Sequence, residues 1–167
     1  MKWPVLRVPG LVGNRDFKLL YMPYIKVYIH FVWSTKNRFP FLDSVELRKK
    51  VWNHISDNAK EKGIYIDFIN GYSDHCHCLV SLGVEQNIKK IMHLIKGESS
   101  FWINKNKLTK EKFEWQDEYF AVSVSESVVD KVRDYIMKQE IHHEKKSFQE
   151  EYDEFISKFG FYKTLAK

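Results

Sequence analysis

The chain has 167 residues, 44% hydrophobic and 16% aromatic, with a formal net charge of +5. That length suits one domain with a sizeable core. No apolar stretch reaches the ~18 residues of a membrane span, and the first segment, broken by Pro4, Pro9 and Gly10, makes a poor signal peptide. The basic bias fits a polyanionic partner and a solvated basic surface equally well.

Residues 1–22 have no clear period and read as an appended arm, with Met22 an alternative start; a domain over 23–160 and a tail over 161–167 follow. Ile25, Val27, Ile29, Phe31 and Trp33 alternate with Lys26, Tyr28 and His30, which is strand behaviour. Past Pro40, Asp43-Ser-Val-Glu46 resembles a capping box. The helix it opens carries Leu47, Val51, Ile55 and Ala59 on one stripe, and Gly63 is placed to end it. Ile64, Ile66 and Phe68 predict a second alternating strand, Asn70-Gly71 a hairpin turn, and the run from His75 to Leu82 a third strand. A helix over 86–104 turns Ile88, Ile91, Met92, Ile95 and Trp102 inward and Lys89, Lys90 and Lys96 outward, with a bend expected at Gly97. A basic loop over 105–112, a strand over 119–124 and a helix over 127–141 come next. A last helix begins at the capping box Ser147-Phe-Gln-Glu150 and stops before Gly160. This order predicts an α+β, ferredoxin-like βαββαβ antiparallel sheet with helices on one face, followed by two C-terminal helices.

Chemistry concentrates at His75-Cys76-His77. Strand alternation puts His75 and His77 on one face and Cys76, Cys78 and Val80 on the other. Paired imidazoles suit a divalent metal, and the same spacing also serves a solvated or hydrogen-bonded pair. The cysteines read as buried thiols of a reducing compartment, which makes the cytoplasm the expected location. A Cys/His zinc site is disfavoured because the two pairs point apart. The cysteine face is expected under the helices, leaving the histidine face open. Downstream, Tyr135 and Gln139 lie one helical turn apart, offering a nucleophile and an oxygen ligand together. A tyrosine hydroxyl, with a pKa near ~10, is a poor nucleophile unaided, and a cation beside it would polarise a phosphoryl oxygen. Two imidazoles leave Mn²⁺ as plausible as Mg²⁺. Tyr135 also falls in a stripe with Val128, Val132 and Ile136 that reads as ordinary core.

Several blocks recur in a familiar order: His30-Phe-Val-Trp-Ser-Thr-Lys36 with Arg38, Asp74-His-Cys-His77, Ile95-Lys-Gly97 with Ser99-Ser100, Trp115-Gln116, Ser123-Val-Ser125, Tyr135-Ile136 with Gln139, and His142-His143. Over about residues 24–160 the chain resembles the single-tyrosine HUH (His-hydrophobe-His) transposases of the insertion-sequence 200/605 family. Cys76 departs from the usual hydrophobe but is small and apolar enough for a buried strand position. The resemblance implies a metal-dependent transposase that cleaves and rejoins single-stranded transposon ends. His75, His77 and Gln139 would be its ligands for Mg²⁺ or Mn²⁺, and Tyr135 its nucleophile. It further implies a 5′-phosphotyrosine link that retains the phosphodiester's energy without ATP, hairpin ends as substrate, and a homodimer with active sites shared in trans. Two alternatives stay open: a domesticated nuclease acting on repetitive hairpin DNA, and a non-catalytic single-strand-binding module. Lys36, Arg38, Lys89, Lys90 and Lys96 are candidate DNA phosphate contacts, while Trp33 and Trp115 either stack on bases or fill the core. His142 and His143 read best as solvated helix-end residues complementing the dipole, and His30 as a satisfied sheet histidine.

Overall fold

The computed structural model describes residues 24–143 and 147–161; the arm expected over 1–22 and the tail beyond Phe161 lie outside them. In chain order it holds β1 (Tyr28–Ser34), α1 (Val45–Glu61), β2 (Tyr65–Gly71), β3 (His75–Ser81), α2 (Ile88–Lys105), β4 (Phe120–Val124), α3 (Val129–Met137), α4 (Gln139–His143) and α5 (Phe148–Phe159). The strands pair antiparallel in the order β2-β3-β1-β4, the ferredoxin-like arrangement the sequence predicts. Among the described residues, no helix is long and apolar enough to cross a membrane.

Alternation along the two central strands divides the molecule. Phe31, Trp33, Cys76, Cys78 and Val80 form one core with Val51, Trp52 and Ile55 of α1 and Ile91, Met92 and Ile95 of α2. The opposite face carries Leu79, on which Val129 and Ile136 of α3 pack with Phe68, Val132 and Tyr135 around them. His75 and His77 share this second face, opposite Ser34 and Val32 of β1.

Several local expectations are corrected. Helix α1 is capped by Ser44, whose side chain accepts from the Leu47 N–H, so Asp43 does not open a capping box. Helix α2 runs unbroken through Gly97. Strand β2 is irregular between Ile66 and Phe68: Ile66 faces Val80 and Ile69 faces Cys78, whereas Phe68 faces Leu79. A bulge thus moves Phe68 to the face opposite Ile66. Asn70-Gly71 is not the hairpin turn either. Gly71 still pairs with Cys76 and the chain reverses through Tyr72, Ser73 and Asp74, where the Tyr72 N–H donates to the His75 carbonyl at 3.1 Å.

Both irregularities serve α3. Asp67, at the bulge, holds Arg133 at 2.7 and 3.0 Å, and the Asn70 side-chain amide donates to the carbonyls of Ile136 and Met137 at 3.0 and 3.1 Å. Those carbonyls belong to the last turn, which has no intrahelical partners to offer. The helix expected over 127–141 accordingly stops at Lys138 (φ −89°, ψ 12°) and restarts as α4.

The largest correction concerns the histidine face, which is not open. Helices α3, α4 and α5 of the same chain lie over it, and His75 and His77 are fully buried. Helix α5 forms as its signals predict, with a Ser147–Glu150 capping box and Gly160 in the left-handed region (φ 64°). Its Phe148 stacks flat on His75 (ring centroids 4.2 Å, 6° between planes), and Phe155 lies 5.9 Å from His30 and 6.4 Å from His77. Phe148, Glu151, Tyr152 and Phe155 recur at helical spacing, so the stripe that seals the site is the apolar face of an amphipathic helix.

Candidate active site

Each histidine of the His-x-His pair is held by its own partner. Asp74 Oδ1 stands 2.7 Å from His75 Nδ1, and His30 Nε2 stands 3.1 Å from His77 Nδ1. These contacts orient both rings, turning His75 Nε2 and His77 Nε2 toward Glu151 of α5. His30 is therefore satisfied, as expected of a sheet histidine, and also lines the histidine face. Burial pushes His77 well below the usual imidazole range, reinforced by neighbouring His75, His143 and His142. Burial, then His77, does the same to His30. For His77 the shift favours the neutral ring, the form a metal ligand requires.

The centre of the cluster is short of well-formed hydrogen bonds. Glu151 is 2% exposed, and its carboxylate oxygens lie 3.2 Å from His143 Nε2, 3.5 Å from His77 Nε2 and 3.9 Å from His75 Nε2. Neither carboxylate oxygen makes a well-formed hydrogen bond, nor does His77 Nε2. Burial pushes the Glu151 carboxyl up to about 7, partly offset by His75. Gln139, fully buried, places Oε1 3.0 Å from His143 Nε2 and 3.4 Å from His75 Nε2. A proton on Nδ1 toward Asp74 would leave His75 Nε2 with a lone pair facing Gln139 and Glu151. Ligand atoms of His75, His77, His143 and Glu151 all lie within 4.8 Å of one another.

Tyr135 is half-buried at the edge of this cluster, its ring 5.6 Å from that of His77 and 5.6 Å from that of His142, both edge-on. Tyr135, Gln139, His75 and His77 thus meet within one chain. The basic residues do not join them as a group. Lys36, Lys89 and Lys96 line an open groove of about 610 Å³ beside α2, which packs on the cysteine side of the sheet. There Lys96 Nζ donates to the carbonyls of Gln116 and Asp117 at 2.6 and 2.8 Å, and Lys36 pairs with Asp117 at 3.4 Å. Lys90 is exposed and outside that groove. Arg38 instead fastens α5: its guanidinium lies 4.7 Å from the Tyr152 ring centroid and 5.4 Å from that of Phe148, and it donates to Gln149. Trp33 and Trp115 are core residues, edge-to-face at 5.8 Å, with Trp115 Nε1 donating to Ser99 Oγ.

The sequence model of the family described as "Transposase IS200 like" matches residues 23–139. The chain belongs to the IS200-like transposase family. No curated protein sequence matches it significantly. Solved structures share the fold, two of them transposases by description. One is a candidate transposase from Deinococcus radiodurans R1, 21% identical, with a TM-score of 0.56, covering 77% of this chain and 98% of that one. The other is a REP-associated tyrosine transposase bound to a REP hairpin, 16% identical, with a TM-score of 0.55, covering 80% of this chain and 74% of that one.

In this IS200-like transposase the donor set fits a divalent metal. Imidazoles, a buried carboxylate and a buried amide oxygen converge, and the orphaned atoms His77 Nε2, Glu151 Oε1 and Glu151 Oε2 face one another as ligands of a shared cation would. Reading the sequence in order missed Glu151 and undervalued His143, whose side chain is only 2% exposed and so not a solvated helix end. A signal for Glu151 was present: an acidic residue at a core position of an amphipathic helix, between Phe148 and Phe155. His143 had a signal too: it follows Gln139 by one helical turn, as Gln139 follows Tyr135, so the three share a face.

Proposed function

We infer that this transposase cleaves and rejoins single-stranded DNA ends with Tyr135 as nucleophile and His75, His77 and Gln139 as metal ligands. The observation that carries this reading is the packing of Tyr135 against His77, on a helix pinned to β2 by Asp67 and Asn70. Such anchoring limits the reach of the hydroxyl, which favours attack at one phosphate. A bound Mg²⁺ or Mn²⁺ would polarise the phosphoryl oxygens and stabilise charge in the transition state.

In the first step the Tyr135 oxygen forms a bond to phosphorus and the bond to the 3′ oxygen breaks. The tyrosine gives up one proton and the departing 3′ hydroxyl takes one up, so the step is balanced. The 5′-phosphotyrosine link keeps the phosphodiester's energy, and attack by the 3′ hydroxyl of another end reverses the chemistry at a new junction. Lys36, Lys89 and Lys96 in their groove and exposed Lys90 are proposed to hold the DNA backbone. Arg38 becomes available to it only when α5 releases it.

The hairpin seen on the REP-associated neighbour belongs to that protein; by analogy hairpin-flanked single strands are the substrate proposed here. The same likeness supports a second reading, a nuclease acting on repetitive hairpin DNA without moving its own gene. The resemblance implies dimers sharing sites in trans, yet one chain already brings its own Tyr135 to its own His77. We therefore propose a site completed in cis.

The test is incubation with single-stranded DNA carrying the element's own ends plus Mg²⁺ or Mn²⁺. Wild-type protein should cleave and stay attached to the 5′ side. Tyr135→Phe should bind the hairpin and cleave nothing; persistent covalent adduct in that variant would rule Tyr135 out.

A further inference from the structure

Helix α5 brings a fourth group into the histidine cluster. Ligands held ~2.0–2.2 Å from a shared ion in a tetrahedron stand about 3.3–3.6 Å from one another. Glu151 Oε2 lies 3.2 Å from His143 and 3.9 Å from His75, Oε1 lies 3.5 Å from His77, and one ligand atom from each of the four residues falls within 4.8 Å of all the others, a set that a bound ion would draw to that spacing. A buried carboxylate with no well-formed hydrogen bond is costly unless a cation compensates it. Here it faces three imidazoles, of which His75 is already committed to Asp74 at its other nitrogen.

We propose that Glu151 and His143 are metal ligands of the DNA-free protein, completing with His75 and His77 a closed four-residue centre. This rests on the proposed role of the His75/His77 pair and extends it. Three imidazoles and one carboxylate select a transition ion such as Zn²⁺, Mn²⁺ or Co²⁺ over Mg²⁺, which prefers oxygen ligands and retained water. A closed set has no position to spare, and α5 also buries both imidazoles under Phe148 and Phe155. DNA therefore reaches the site only after α5 withdraws. Withdrawal carries Glu151 away and leaves His75, His77 and the α4 residues His143 and Gln139, which include the set proposed for catalysis. Glu151 thus couples metal occupancy to closure: the loaded, DNA-free chain holds α5 shut.

The test uses the full chain without DNA, titrated with Co²⁺ and read by visible absorption and calorimetry. Wild-type protein should give the intense bands of four-coordinate Co²⁺. Glu151→Gln and His143→Ala should weaken binding at least about tenfold, the low end for losing even an outer partner, and should dim those bands. His75→Ala should abolish binding. Unchanged affinity and spectrum in both Glu151→Gln and His143→Ala, with loss in His75→Ala, overturns this proposal and leaves the His-x-His site standing. If His75→Ala also binds normally, both fall. Amide exchange on the wild-type chain tests the same idea without any variant. Co²⁺ should slow exchange across Phe148–Phe159, and no change there counts against Glu151 as a ligand.

Discussion

Gly71 offers the sharpest link between the hairpin and the site. It pairs with Cys76 just before the chain reverses, and a Cβ at this position would lie 2.2 Å from the His75 carbonyl oxygen and 2.9 Å from Cys76 Cα. Both neighbours are backbone atoms of the strand that carries the paired imidazoles, so no rotamer change relieves the clash. Overpacking that side chains can absorb costs about 1–3 kcal/mol. With backbone in the way, Gly71→Ala should cost ~3 kcal/mol or more, a large share of the ~5–15 kcal/mol available to a domain. At a urea slope of about 2 kcal/mol/M, the midpoint drops by ~1.5 M. Gly97→Ala is the internal control. Nothing stands within 4 Å of its added Cβ in the interior of α2, so it should gain about 0.5–1 kcal/mol from helix propensity alone. Urea unfolding followed by far-ultraviolet circular dichroism compares the two. A Gly71→Ala midpoint equal to wild type, or Gly97→Ala as damaging as Gly71→Ala, would refute the packing argument.

Three further outcomes are expected. Asp74→Asn should weaken metal binding by about 10–100-fold in calorimetry while leaving the melting temperature nearly unchanged, because it disturbs the Nδ1 partner of His75 and not a ligand; wild-type affinity would remove Asp74 from the site. Arg38→Ala should release α5, raising amide exchange over Phe148–Phe159 about fivefold for the loss of ~1 kcal/mol of cation–π contact, with the sheet unaffected. Mixing inactive Tyr135→Phe with inactive His75→Ala protein should restore no cleavage if sites are complete in cis. Recovery of activity in tagged, verified heterodimers would establish sharing in trans instead.

The sheet was legible because β1 and β3 alternate strictly, and α5 because its end signals are local: Ser147, Glu150 and Gly160 mark it to the residue. The bulge in β2 was not. Ile64, Ile66 and Phe68 keep a two-residue period in sequence, and the shift is tied to a tertiary event, the anchoring of Arg133 by Asp67. Asn70-Gly71 misled for a related reason, since the asparagine amide is used on α3 carbonyls and the glycine accommodates the His75 backbone. His75 and His77 could be read from alternation and Tyr135 with Gln139 from helical spacing. What covers them could not, because period and spacing say which face a helix buries but not which surface it is buried against. Only the folded chain sets α5 on the histidine face and Glu151 among the imidazoles.

The most direct measurement is to map the covalent link. Full-length protein is incubated with single-stranded DNA bearing its own ends and Mn²⁺, digested, and the nucleotide-bearing peptide sequenced by mass spectrometry. The account predicts a single adduct, a nucleotide 5′-phosphate on the Tyr135 oxygen. An adduct on another residue, such as Tyr72 or Tyr152, or cleavage that leaves no protein-linked DNA, would contradict it.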